Sequence, residues 1–156
     1  MKKIIINKTN LVHVVLGHSY LFYFLALIVG ILFDMVVGVR FSGQNDMLVG
    51  FILLILGTGI IYLAQNTSRK AHHRNKKESG YMRFMNGPYK FTRSPTHLGL
   101  GVTMVGLSFV LQSVSLFALA LLAFLITRYI FIAKEEKILL ENYGEDYLEY
   151  KKHVTF

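Results

Sequence analysis

Four long apolar stretches constrain this chain more than anything else in its sequence. They lie at about 20–39, 47–65, 95–111 and 114–133. A helix needs ~20 mostly apolar residues to cross ~30 Å of hydrocarbon, and the four stretches meet or nearly meet that length. The first extends back towards Leu11. The third is the shortest, and only Gln112 and Ser113 separate it from the fourth, which predicts a tight helical hairpin. Composition agrees: of 156 residues, 53% are hydrophobic and 17% charged, against ~25% charged in an ordinary soluble domain. A backbone in lipid must satisfy its own hydrogen bonds, so such stretches fold as helices. The expected fold is an all-α, polytopic membrane protein, one domain over 1–156, with about four transmembrane helices.

Loop charge predicts its orientation. Residues 1–8 carry Lys2, Lys3 and Lys8. The link between the first two stretches holds only Arg40 and Asp46. The segment 66–93 holds Arg69, Lys70, Arg74, Lys76, Lys77, Arg83, Lys90 and Arg93 against the single acid Glu78. Basic loops stay in the cytoplasm, which puts the N-terminus and this long loop inside. Four crossings then return the C-terminus to the same side. The net charge of +8 is accounted for by this bias and by attraction to anionic lipid, not by nucleic-acid binding. Residues 1–10 are basic and then apolar, with no small-residue cleavage site before the first long apolar run ends, so that run reads as a retained span rather than a removed signal peptide.

The acids cluster differently. Glu135, Glu136, Glu141, Glu145, Asp146 and Glu149 all lie in the C-terminal tail, where Leu139, Tyr143, Tyr147 and Tyr150 recur at helical spacing. Gly144 divides that tail into two helices. An acidic amphipathic tail and a basic loop on one membrane face are expected to pack together over the helix ends.

Two segments stand out for chemistry. One, 87–101, holds both prolines of the chain, with Pro95 suited to a first helical turn. Its Gly99 and Gly101 permit close backbone approach, either to a ligand or to a neighbouring helix. The other is Glu135-Glu136, directly after the fourth stretch. Acids are disfavoured at a helix C-terminus, so the helix is expected to continue through them. Arg128 precedes Glu135 by seven residues, which on an unbroken α-helix gives them one face. An arginine in a span marks a functional position or a side chain snorkelling to the headgroups. Asp34 reads as solvated near the outer interface, and His13 and His18 as interfacial. His72 and His73 are adjacent and point apart, a poor metal pair, and no metal site is expected. The absence of cysteine excludes disulfides and thiolate chemistry. No Ser-His-Asp order or P-loop is evident.

Taken together, the two segments resemble the isoprenylcysteine carboxyl methyltransferase and phospholipid methyltransferase superfamily. Its pattern reads Gly-x-Tyr-x-x-x-Arg-His-Pro-x-Tyr-x-Gly, a helical hairpin, Glu-Glu-x-x-Leu, then aromatic-Gly-x-x-Tyr-x-x-Tyr. Gly87, Tyr89, Arg93, Pro95 and Gly99 match the first part. Glu135, Glu136 and Leu139 match the second, and Tyr143, Gly144, Tyr147 and Tyr150 the third. Ser94 and His97 depart from the family histidine and tyrosine.

The resemblance implies a membrane methyltransferase that uses S-adenosylmethionine on a lipid-like or isoprenylcysteine-type acceptor from the bilayer, with 66–154 as its catalytic portion. It implies cofactor contacts from Tyr89, Arg93, Ser94, Pro95, Thr96, His97, Gly99, Gly101, Glu135 and Glu136, under a lid formed by loop and tail. Arg128 is the candidate for an anionic acceptor, although the family's substrate arginine falls at Phe131. Two other readings stand beside this one. The Ser94 and His97 departures allow a non-catalytic protein on the same scaffold, and a nicotinamide-dependent membrane reductase is the third. Neither the acceptor's identity nor an oligomeric state is written in the sequence.

Overall fold

A computed structural model describes residues 2–74 and 81–154. The side chains of 2–14, 71–74 and 83 lie outside that description, as do Lys76, Lys77 and Glu78 and the side chains of His13, His72 and His73. The described residues form helices and turns without a β-strand: α1 (Lys2–Val37), α2 (Asp46–Arg74), α3 (Pro95–Val110), α4 (Val114–Ile126), α5 (Ala133–Tyr143) and α6 (Glu145–His153). Two short 3₁₀ turns, Tyr81–Arg83 and Gly87–Lys90, lie in the described part of the connection between α2 and α3. A π-helical segment, Thr127–Ile132, joins α4 to α5 without a break.

Among the described residues, three helical stretches are long and apolar enough to cross a membrane: Val15–Val37, Asp46–Lys70 and Val114–Tyr143. α3 is apolar but has only 16 residues, about 24 Å of rise and less than a full hydrocarbon core. The protein is an all-α membrane protein whose fourth apolar element is shorter than a span.

Local chemistry sets the boundaries. Gly38, at φ +63°, follows the last turn of α1 and donates to the Asp34 carbonyl at 2.8 Å. The α3–α4 hairpin turns on Gln112, at φ +54°, and on Ser113, whose hydroxyl accepts the Leu116 N–H at 3.0 Å and caps α4. Pro95 opens α3, as its spacing predicts. α2 continues helically to Arg74, so part of the expected loop 66–93 is helix. Its basic residues are good helix formers and need no apolar environment to extend the rod.

α3 packs most extensively on α2. A Cβ on Gly99 would lie 2.9 Å from the Gly57 carbonyl, and one on Gly106 would lie 2.9 Å from the Gly50 carbonyl. The two backbones therefore touch through glycine, a means of helix association where lipid offers no hydrophobic drive. α1 lies against α4, with Tyr23, Met104, Leu116, Ala120 and Ala123 forming the buried centre of the bundle.

The two ends of the bundle differ. At one, Asp34 is only 9% exposed, contrary to the solvated position expected for it. Its carboxylate meets Arg40 at 2.9 Å and accepts the Ser113 hydroxyl at 2.6 Å. Arg40 also donates to the Leu111 carbonyl at 3.0 Å, tying the α1–α2 connection to the α3–α4 hairpin. At the other end lie the 81–94 connection, the start of α3, and α5 and α6.

Candidate functional site

Gly144, at φ +54° and ψ −123°, turns α6 back onto α5 and the 81–94 connection. A second core forms there. Tyr147, Tyr150 and Val154 are buried, with Tyr81, Phe84, Met85, Leu139 and Tyr143 against them. The Phe84 ring lies 5.0 Å from Tyr143 and 5.3 Å from Tyr150, centre to centre, within the range of favourable aromatic contact. The Tyr150 hydroxyl donates to the Tyr89 carbonyl at 2.7 Å, and Tyr81 stacks on His153. The predicted packing of tail on loop is therefore present, and it is aromatic as well as electrostatic.

This core holds the two motif segments together. Arg93 meets Glu136 Oε1 at 2.7 Å, with its side chain only 9% exposed, and Lys151 of α6 takes the other oxygen, Oε2, at 2.7 Å. Both oxygens of Glu136 are thus engaged. Glu135 faces the other way, with Oε2 3.6 Å from His97 Nδ1. His97 is 1% exposed, and its Nε2 lies 3.0 Å from the hydroxyl of Ser19, a residue of α1. Ser94, Pro95 and Thr96 are also buried in the first turn of α3. Burial raises the phenol pKa of Tyr89, and the nearby Glu135 charge adds to this. Burial raises Tyr147 and Tyr150 as well, with charge from Glu136 adding at Tyr147 and the neighbouring Tyr147 adding at Tyr150. All three stay neutral O–H donors at physiological pH.

Tyr89, Arg93, Ser94, Pro95, Thr96, His97, Glu135 and Glu136 thus converge at one end of the bundle. Gly99 and Gly101 lie further along α3, where Gly99 packs on α2 and Gly101 on the Phe124 ring. Arg128 sits half-buried in the π segment. A π turn holds more residues than an α turn, so the seven-residue spacing to Glu135 does not give the shared face expected of an unbroken α-helix.

An apolar cleft of about 460 Å³ opens beside this cluster, between α1 and the π segment. Phe22, Leu25 and Phe131 line it, with His18 and Lys134 as its polar residues. Arg128 is not among its lining residues. Two of its lining residues, His18 and Lys134, are the sequence neighbours of Ser19 and Glu135.

Sequence reasoning missed Ser19 and Lys134. Ser19 is 78 residues from its partner His97 and belongs to no motif. Lys134 had a signal, its place directly before the paired glutamates.

Comparison with known proteins matches residues 45–146 to the family described as phospholipid methyltransferase. A protein-S-isoprenylcysteine O-methyltransferase of Saccharomyces cerevisiae (strain ATCC 204508 / S288c) is 32% identical over 111 residues, 67% of this chain and 45% of the yeast protein. The chain thus spans less than half the length of that relative. No solved structure matches. The order of the motifs, the hairpin between them and the extent of the matched segment place this chain in the phospholipid methyltransferase family.

Proposed function

We propose that this chain transfers a methyl group from S-adenosylmethionine to a lipid-like or isoprenylcysteine-type acceptor at the cytosolic face of the membrane. One observation carries the reading: the two motif segments meet at one end of the bundle, beside a cleft suited to an apolar chain. The basic residues of 66–93 support a cytosolic position for that end.

The donor set fits the cofactor. A carboxylate suits its amino or ribose groups, and aromatic rings suit its planar and cationic parts. Glu135 is the carboxylate proposed to face it, because Glu136 has both oxygens in ion pairs and braces the wall instead. Tyr89, Ser94, Thr96 and His97 complete the loop side. When bound, S-adenosylmethionine supplies an activated methyl group on sulfur. The protein's contribution is to align the acceptor with that group and exclude water. The aromatic tail provides the cover, and the cleft would hold the acceptor's apolar chain. Lys134, rather than Arg128, is the cation at this cleft and suits an anionic acceptor group. A carboxylate acceptor needs no general base, and this arrangement assigns none.

The test is calorimetric titration of the detergent-purified protein with S-adenosylmethionine. The native protein should bind, Glu135→Gln should weaken binding by at least about ten-fold, the loss expected for one charge-assisted contact, and Asp34→Asn should leave it unchanged. No binding by a folded native protein would refute the proposal. Equal losses in the two variants would refute the site.

A further inference from the structure

Ser19 lies outside the matched segment 45–146 and in no motif, yet it is completely buried. A hydroxyl carries one proton, and that of Ser19 goes to the Val15 carbonyl at 3.1 Å. Its oxygen can then only accept from His97 Nε2, 3.0 Å away. That contact selects the tautomer of His97 with hydrogen on Nε2. Nδ1, 3.6 Å from Glu135 Oε2, is thereby left without hydrogen.

We propose that Ser19 is a positioning residue of the methyl-transfer site, acting through the ring of His97 on the carboxyl group of Glu135. This rests on the methyltransferase reading above. Three elements meet in this line: α1 supplies Ser19, the first turn of α3 supplies His97, and α5 supplies Glu135. Nδ1 then presents a lone pair, not an N–H, on the side of Glu135, so the tautomer bears on how that carboxyl group is oriented. The other titratable groups at this corner are Arg93, Glu136 and the neutral phenols of Tyr89 and Tyr147. The single proton of the hydroxyl thus decides which ring nitrogen carries the hydrogen, and with it what His97 presents to the proposed cofactor-binding acid. It also draws α1 into a site that the motifs confine to the second half of the chain.

Two measurements test the proposal. Nitrogen NMR of histidine-labelled protein without cofactor should show His97 protonated at Nε2, and Ser19→Ala should convert that signal to a tautomer mixture. Calorimetry should then show Ser19→Ala weakening S-adenosylmethionine binding by about ten-fold in the native background and by less than about two-fold in His97→Phe, since residues acting in series are non-additive. Equal losses in both backgrounds, or an unchanged ring signal in Ser19→Ala, would overturn the proposal. If the native protein fails to bind the cofactor, the methyltransferase reading falls, while the ring signal still decides whether Ser19 fixes His97.

Discussion

Adjacent, chemically identical residues have different work here. Glu135 and Glu136 look alike in sequence, and only packing separates them. Glu136 is gripped by Arg93, whose side chain is 9% exposed, and by Lys151, whose side chain is 45% exposed. A pair largely out of water is costly to break from one side, because the partner charge is stranded. An exposed lysine contributes little. Glu136→Gln should therefore destabilise the protein by about 2–4 kcal/mol, read as a lowered midpoint of thermal unfolding in detergent. Lys151→Met should cost no more than about 1 kcal/mol. Equal effects would mean that Arg93 is not the anchor. The sequence displayed both acids and the arginine, but partner and burial are products of the hairpin and the fold-back at Gly144. For the same reason Ser19, which belongs to no motif, was illegible: nothing local marks a serine whose meaning comes from a histidine 78 positions away.

At the scale of elements, local patterns were legible where local chemistry decides. The apolar runs, the Gln112-Ser113 turn, Pro95 at the start of α3 and Gly144 between α5 and α6 all lie where the sequence suggests. The π segment Thr127–Ile132 was not legible, since its residues are ordinary helix formers and its register depends on what packs around it. It sets the direction of Glu135 relative to α4. Removing one residue within it, for example the exposed Tyr129, should restore α geometry and rotate α5 by about 100° against α4. Circular dichroism should show unchanged helicity while S-adenosylmethionine binding is lost. Retained binding would show that the tail adapts and that the π segment is incidental. Gly144 makes a second demand, because φ +54° with ψ −123° is strained for any residue with a Cβ. Gly144→Ala should cost about 1–3 kcal/mol, seen as a lower unfolding midpoint.

The whole molecule divides its tasks between its ends. At one, Asp34, Arg40 and Ser113 join the α1–α2 connection to the hairpin. At the other, loop, tail and α1 enclose the proposed site. The helical rod from Ser113 to Glu135 connects them over roughly 30 Å. Perturbations that far apart, with no shared partner, are expected to add rather than couple. Ser113→Ala removes the cap on α4 and a hydrogen bond to a buried carboxylate. Such losses are worth about 1–3 kcal/mol together, so the unfolding midpoint should fall. The affinity of the remaining folded protein for S-adenosylmethionine should stay within about two-fold, the limit set by additivity of distant sites. Glu135→Gln should do the reverse, sparing the melt and losing affinity. If Ser113→Ala weakens binding beyond its unfolded fraction, the rod transmits strain from end to end. The π segment, the one irregular turn along it, would then be the place to look for how.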